Sequence, residues 1–70
     1  MTVVFDKDLY SESAVRQAIS DYAEIAKIEL TGNDDSLVST IVRSEYPLET
    51  TALEFSNYVL NLSVMSEKNA

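Results

Sequence analysis

The chain contains neither cysteine nor histidine, and those two absences narrow its chemistry more than any motif it carries. Without them there is no disulfide to brace the fold, no redox dithiol, no zinc site of the usual kind, no iron–sulfur cluster and no Ser–His or Cys–His nucleophile pair. Basic residues are scarce too. Five of them face twelve acidic ones, for a formal charge of −7. That charge repels a phosphate backbone and an anionic membrane surface, so neither nucleic acid nor membrane is expected as a partner, whereas basic protein surfaces would be attracted. No stretch approaches the roughly 20 apolar residues that cross a bilayer. The opening Met1-Thr2-Val3-Val4-Phe5-Asp6 lacks the basic flank and apolar run of a signal peptide. By elimination, the cytoplasm is the expected compartment.

What is present is enough to fold. Seventy residues, 46% of them apolar, read as a single domain over 1–70 with a frayed tail at 65–70. A core of that size is thin and rarely gives more than about 3–5 kcal/mol, so help from a homodimer or a partner protein is plausible on size alone.

Thr2 to Asp6 is β-branched and aromatic, as a short strand should be. Ser11 then reads as a helix N-cap, with Glu12 in the first turn and Tyr10 and Val15 placed as a hydrophobic staple. Ala14, Val15, Ala18, Ile19, Tyr22, Ala23 and Ala26 recur at helical spacing, predicting an amphipathic helix to about Ala26. Lys27 to Thr31 alternates, with Ile28 and Leu30 on one face. Gly32-Asn33-Asp34-Asp35 is a turn in which the only glycine is expected at positive φ. Ser36 to Arg43 is the hairpin partner, with Leu37 and Ile41 on one side and Val38 and Val42 on the other.

Pro47 closes the strands, and Thr51-Ala52-Leu53-Glu54 fits a capping box opening a second helix to about Ser66. On that helix Ala52, Phe55, Tyr58, Val59, Leu62 and Met65 form one wide apolar stripe. Leu53, Leu60 and Val64 form a second, nearly opposite. A small core covers only one such face, so Leu53, Asn57, Leu60 and Val64 are the candidate interaction surface; the Asn57 amide either sets the register of a helix–helix contact or is an ordinary surface amide. The expected fold class is α+β: a β-α-β-β-α domain with a three-stranded sheet and two helices packed on one face. Either the first two strands pair in parallel through a right-handed crossover, or the hairpin meets the first strand through its other edge.

Other polar and aromatic groups have plain structural readings beside their functional ones. Asn33-Asp34-Asp35 supplies oxygens a divalent cation would accept, yet such residues are ordinary in turns. Tyr10, Tyr22 and Tyr58 fall on core stripes and Tyr46 stands free beside Pro47. The acidic pairs Asp6 with Asp8 and Glu49 with Glu54 would need a cleft to do acid–base work, and nothing in the sequence marks one. No catalytic, metal-binding or cofactor residue is assigned, and no enzyme activity is expected.

The run Leu9-Tyr10-Ser11-Glu12-Ser13-Ala14-Val15-Arg16-Gln17-Ala18-Ile19, with Asp21-Tyr22 and Ile28-Glu29-Leu30 after it, resembles the start of the HxsD-like proteins. Glu54-Phe55-Ser56-Asn57-Tyr58-Val59-Leu60-Asn61 is similar to that family's closing helix. Where the family often continues with an acidic residue and arginines, this chain has Asn61 and Leu62-Ser63-Val64. The resemblance implies a small accessory protein of a His-Xaa-Ser peptide maturation system, binding a precursor peptide or a radical-SAM maturation enzyme.

Overall fold

The computed structural model describes the backbone of residues 1–68 and the side chains of residues 1–65. The elements follow the order β1 (Thr2–Asp6), α1 (Glu12–Asp21), β2 (Ala26–Gly32), β3 (Ser36–Ser44) and α2 (Leu48–Lys68). The sheet runs β1-β3-β2 and is antiparallel throughout. Of the two pairings open to the sequence, the second is thus realised: β1 meets β3, and no parallel crossover forms.

One face of the sheet is dry. Phe5, Ile28, Leu37 and Ile41 point from the three strands into a cluster completed by Val15 and Ala18 of α1 and by Ala52, Phe55 and Val59 of α2. Both helices therefore lie on that face, α1 against β2 and α2 against β3 and β1. The opposite face is open, and Val4, Lys27, Glu29, Val42 and Arg43 are exposed there. The two-sided appearance of β3 is settled by this: Leu37 and Ile41 are core, while Val38 is half-buried and Val42 exposed.

A bulge adjusts that alternation. Lys27 pairs with Arg43 and Ile28 with Ile41, leaving Val42 as an extra residue in β3. Regular alternation from Leu37, Ser39 and Ile41 would aim Arg43 inward. The extra residue turns Arg43 out and Ser44 in, so the Arg43 guanidinium is kept out of the core.

Several boundaries differ from those read off the sequence. Helix α1 stops at Asp21, capped by Tyr22 in the αR region, rather than near Ala26. Ala26 shares the two-residue phase of Ile28 and Leu30, and pairing with Ser44 draws it into β2 against its helical spacing. Helix α2 begins at Leu48, directly after Pro47, whose carbonyl accepts from the Thr51 N–H at 3.0 Å. Thr51 is therefore inside the helix and no capping box forms. At the other end α2 continues to Lys68, past the expected stop near Ser66, and Asn69 and Ala70 of the tail expected to fray lie outside the described residues.

Gly32 is not at positive φ. Its lack of a side chain matters for space instead: a Cβ there would sit 2.8 Å from the Ser36 carbonyl oxygen across the hairpin. The turn is held by Asn33, whose Oδ1 accepts from the Asp35 and Ser36 N–H groups at 2.8 and 2.9 Å.

Candidate interaction surface

Helix α2 is fixed by its inner face. Phe55 and Val59 are fully buried and Ala52 nearly so. The aromatic rings form an edge-to-face chain from Tyr10 to Phe5 (5.0 Å), Phe5 to Phe55 (5.9 Å) and Phe55 to Tyr22 (5.5 Å), and a tilted contact then carries Tyr22 to Tyr58 (5.5 Å). Tyr10, Tyr22 and Tyr58 are half-buried members of this core, whereas Tyr46 is exposed.

Short polar ties set the helix's rotation. The Thr51 and Ser44 hydroxyls are 2.7 Å apart, which ties the first turn of α2 to the bulged end of β3. Ser63 is buried and its Oγ accepts from the Ser11 N–H at 3.3 Å, linking the far end of α2 to the cap of α1. Ser11 also accepts from the Ala14 N–H, as an N-cap should. The Tyr58 hydroxyl donates to Asp21, which also accepts from Gln17 Nε2. These bonds occupy a carboxylate at the helix end where a negative charge suits the dipole least. Sequence periodicity missed Thr51 and Ser63 as buried anchors, since small hydroxyls at the edge of an apolar stripe carry no hydrophobic signal.

With α2 held this way, its second stripe faces outward. Leu53 is 64% exposed, Leu60 44% and Val64 41%, and Asn57 between them is exposed as well. The four candidate residues are thus brought together on one narrow strip of helix surface. Met65, expected on the inner stripe, is exposed instead: at about 100° per residue it lies roughly 160° around the helix from Ser63, which is the buried position at this end of α2.

The other candidates serve the turns around them. Asp6 Oδ1 accepts from the Asp8 N–H at 2.8 Å, and Asn33 closes the hairpin turn. Glu49 and Glu54 lie on exposed parts of α2. An open groove of about 300 Å³ beside β2, lined by Arg16, Ile19, Ile28 and Leu30, was not foreseen from the sequence; its residues come from two elements whose spacing depends on the fold. Among the described residues, no three His, Cys, Asp or Glu side chains cluster to hold a metal ion, and no helix is long and apolar enough to cross a membrane.

Fold and surface together describe a small α+β domain with one helix face uncovered. Comparisons with protein-family models, curated proteins and solved structures find no match to this chain.

Proposed function

We propose that this chain is a non-catalytic protein-interaction module whose outer α2 stripe docks another protein. The observation that carries the reading is the helix with two apolar faces: the domain covers Ala52, Phe55 and Val59 and leaves Leu53, Leu60 and Val64 to solvent. Contiguous exposed apolar side chains on a small soluble domain mark contact surfaces more often than they serve its own stability.

The resemblance to HxsD-like proteins supports a cytoplasmic client, either the precursor peptide of a ribosomal-peptide maturation system or its radical-SAM enzyme. In this reading no bond is made or broken by the chain itself. Titration of the precursor peptide into the purified domain tests it, and Leu60→Asp should weaken binding at least about tenfold if Leu60 is a central contact. Binding unchanged by that substitution, in a variant with native circular dichroism, would reject the site. The second reading is a structural homodimer through the same stripe, and the position of Asn57 in line with the leucines favours it.

A further inference from the structure

We propose that the stripe of α2 is covered by a second copy of this chain, the two helices lying parallel in a two-stranded seam with Asn57 facing its counterpart across the axis. The inference rests on reading the stripe as a docking surface, and it names the occupant. Thr50, Leu53, Asn57, Leu60 and Val64 follow one another by alternating steps of three and four, all exposed on one preformed helix. Alternating three- and four-residue steps are the a/d pattern of a coiled-coil seam. At about 100° per residue, the four from Leu53 to Val64 fall within an arc of roughly 60°.

The residue types select the strand number. Leucines occupy the d positions, 53 and 60, and β-branched or polar residues occupy a, namely Thr50, Asn57 and Val64. A β-branched a residue with leucine at d favours two strands, and a single asparagine at a specifies register at a cost in strength.

Asn57 also selects orientation. In a parallel pair each a residue meets its own counterpart, so the two amides supply a donor and an acceptor to one another. An antiparallel pair sets a against d, placing Asn57 against Leu60 of the other copy and leaving both amides unpaired in an apolar seam. A second copy provides the matching amide by symmetry, which an unrelated helix would have to supply by coincidence of sequence.

The rims carry few bulky charges: Glu54 and Asn61 line one side, and on the other stand Ser56, half-buried, and Ser63, already buried beneath the cap of α1. Helix α2 is already ordered by the core, so pairing does not carry the cost of forming it. The pair has an electrostatic penalty, because both copies carry a charge of −7 and Glu49 of one approaches Glu54 of the other. Association should therefore tighten as salt rises.

Sedimentation equilibrium of the full chain tests this, with loading to about 500 µM, where even a small, weak interface should populate the dimer. A monomer–dimer equilibrium is expected, tightened by salt, weakened at least about tenfold by Leu60→Asp or Leu53→Asp, and strengthened by Asn57→Val. Orientation is read by Val64→Cys, since the chain has no cysteine of its own. Under oxidation a parallel pair joins the two thiols. With Asn57 opposite Leu60, an antiparallel pair would hold them about 16 Å apart, too far to bridge. Met65→Cys, off the seam, should not cross-link. A wild-type monomer throughout, a dimer indifferent to both aspartate variants, a trimer, or a Val64→Cys dimer that fails to cross-link would each overturn the proposal. The docking reading is judged separately by the precursor-peptide titration: a monomeric domain whose peptide binding falls with Leu60→Asp keeps that reading and overturns self-pairing alone.

Discussion

Ser39 sits at the middle of the central strand, opposite Val3 on one side and Leu30 on the other, and is fully buried. Its hydroxyl finds no hydrogen-bond partner among the described residues. A buried hydroxyl without a partner opposes folding, so Ser39→Ala should raise stability by about 1 kcal/mol in urea titrations. A lower midpoint would show that the hydroxyl is bonded after all. The two tyrosines at the helix crossing give a second residue-scale test. Burial, and then the nearby Glu54 carboxylate, raise the Tyr22 pKa; the hydrogen bond to Asp21 is the main cause of the rise at Tyr58. A phenol whose pKa is higher folded than unfolded stabilises the fold fully below its unfolded value, about 10, and loses that contribution as pH climbs through the folded one. Melting temperature should fall on raising the pH above about 10, less steeply in Tyr58→Phe, which removes one of the two groups. Equal slopes in the two proteins would contradict the assignment.

At the scale of elements, Phe55 on α2 bridges Phe5 of β1 and Tyr22 at the end of α1. Phe55→Ala should cost about 3–5 kcal/mol, comparable to the whole stability expected of so small a core. The variant is expected to be unfolded at 25 °C by circular dichroism, while Leu53→Asp on the outer stripe keeps its native spectrum. Period and residue type made this distinction legible in the sequence, because both stripes lie within one helix. The end of α1 was not legible: Ala23 and Ala26 fit a helical period as well as Ala18 does, and only pairing with Ser44 reassigns Ala26. The capping box failed for a related reason. Thr51 has the right neighbours for a cap, but Pro47 starts the helix earlier and Ser44, turned inward by the bulge, takes the hydroxyl.

For the whole molecule, charge is the main liability. Among the described residues the salt bridge is the exposed pair Arg16–Glu12, so most of the acidic excess is unscreened by partners. Stability should rise between low salt and about 0.5 M NaCl, by roughly 1 kcal/mol, as a shorter Debye length weakens self-repulsion. A flat or falling urea midpoint over that range would argue against net charge as a controlling factor. The strand order lay beyond the sequence because both pairings satisfy the same alternation of Thr2 to Asp6. What decides between them is how the three strands and the two helices pack together over one face, a property of the assembled layers.

The middle place in the sheet belongs to the strand that is made last. Residues 1–35 hold β1, α1 and β2 and not one strand pair, since β1 and β2 each bond only to β3. Helix α1, 10 residues long, is shorter than the roughly 12–15 at which isolated helices become even marginal in water. A peptide of residues 1–35 should therefore show the spectrum of an unordered chain. A ribosome making this chain would extrude residues 1–35 before any of the sheet could exist, and every strand pair waits on β3.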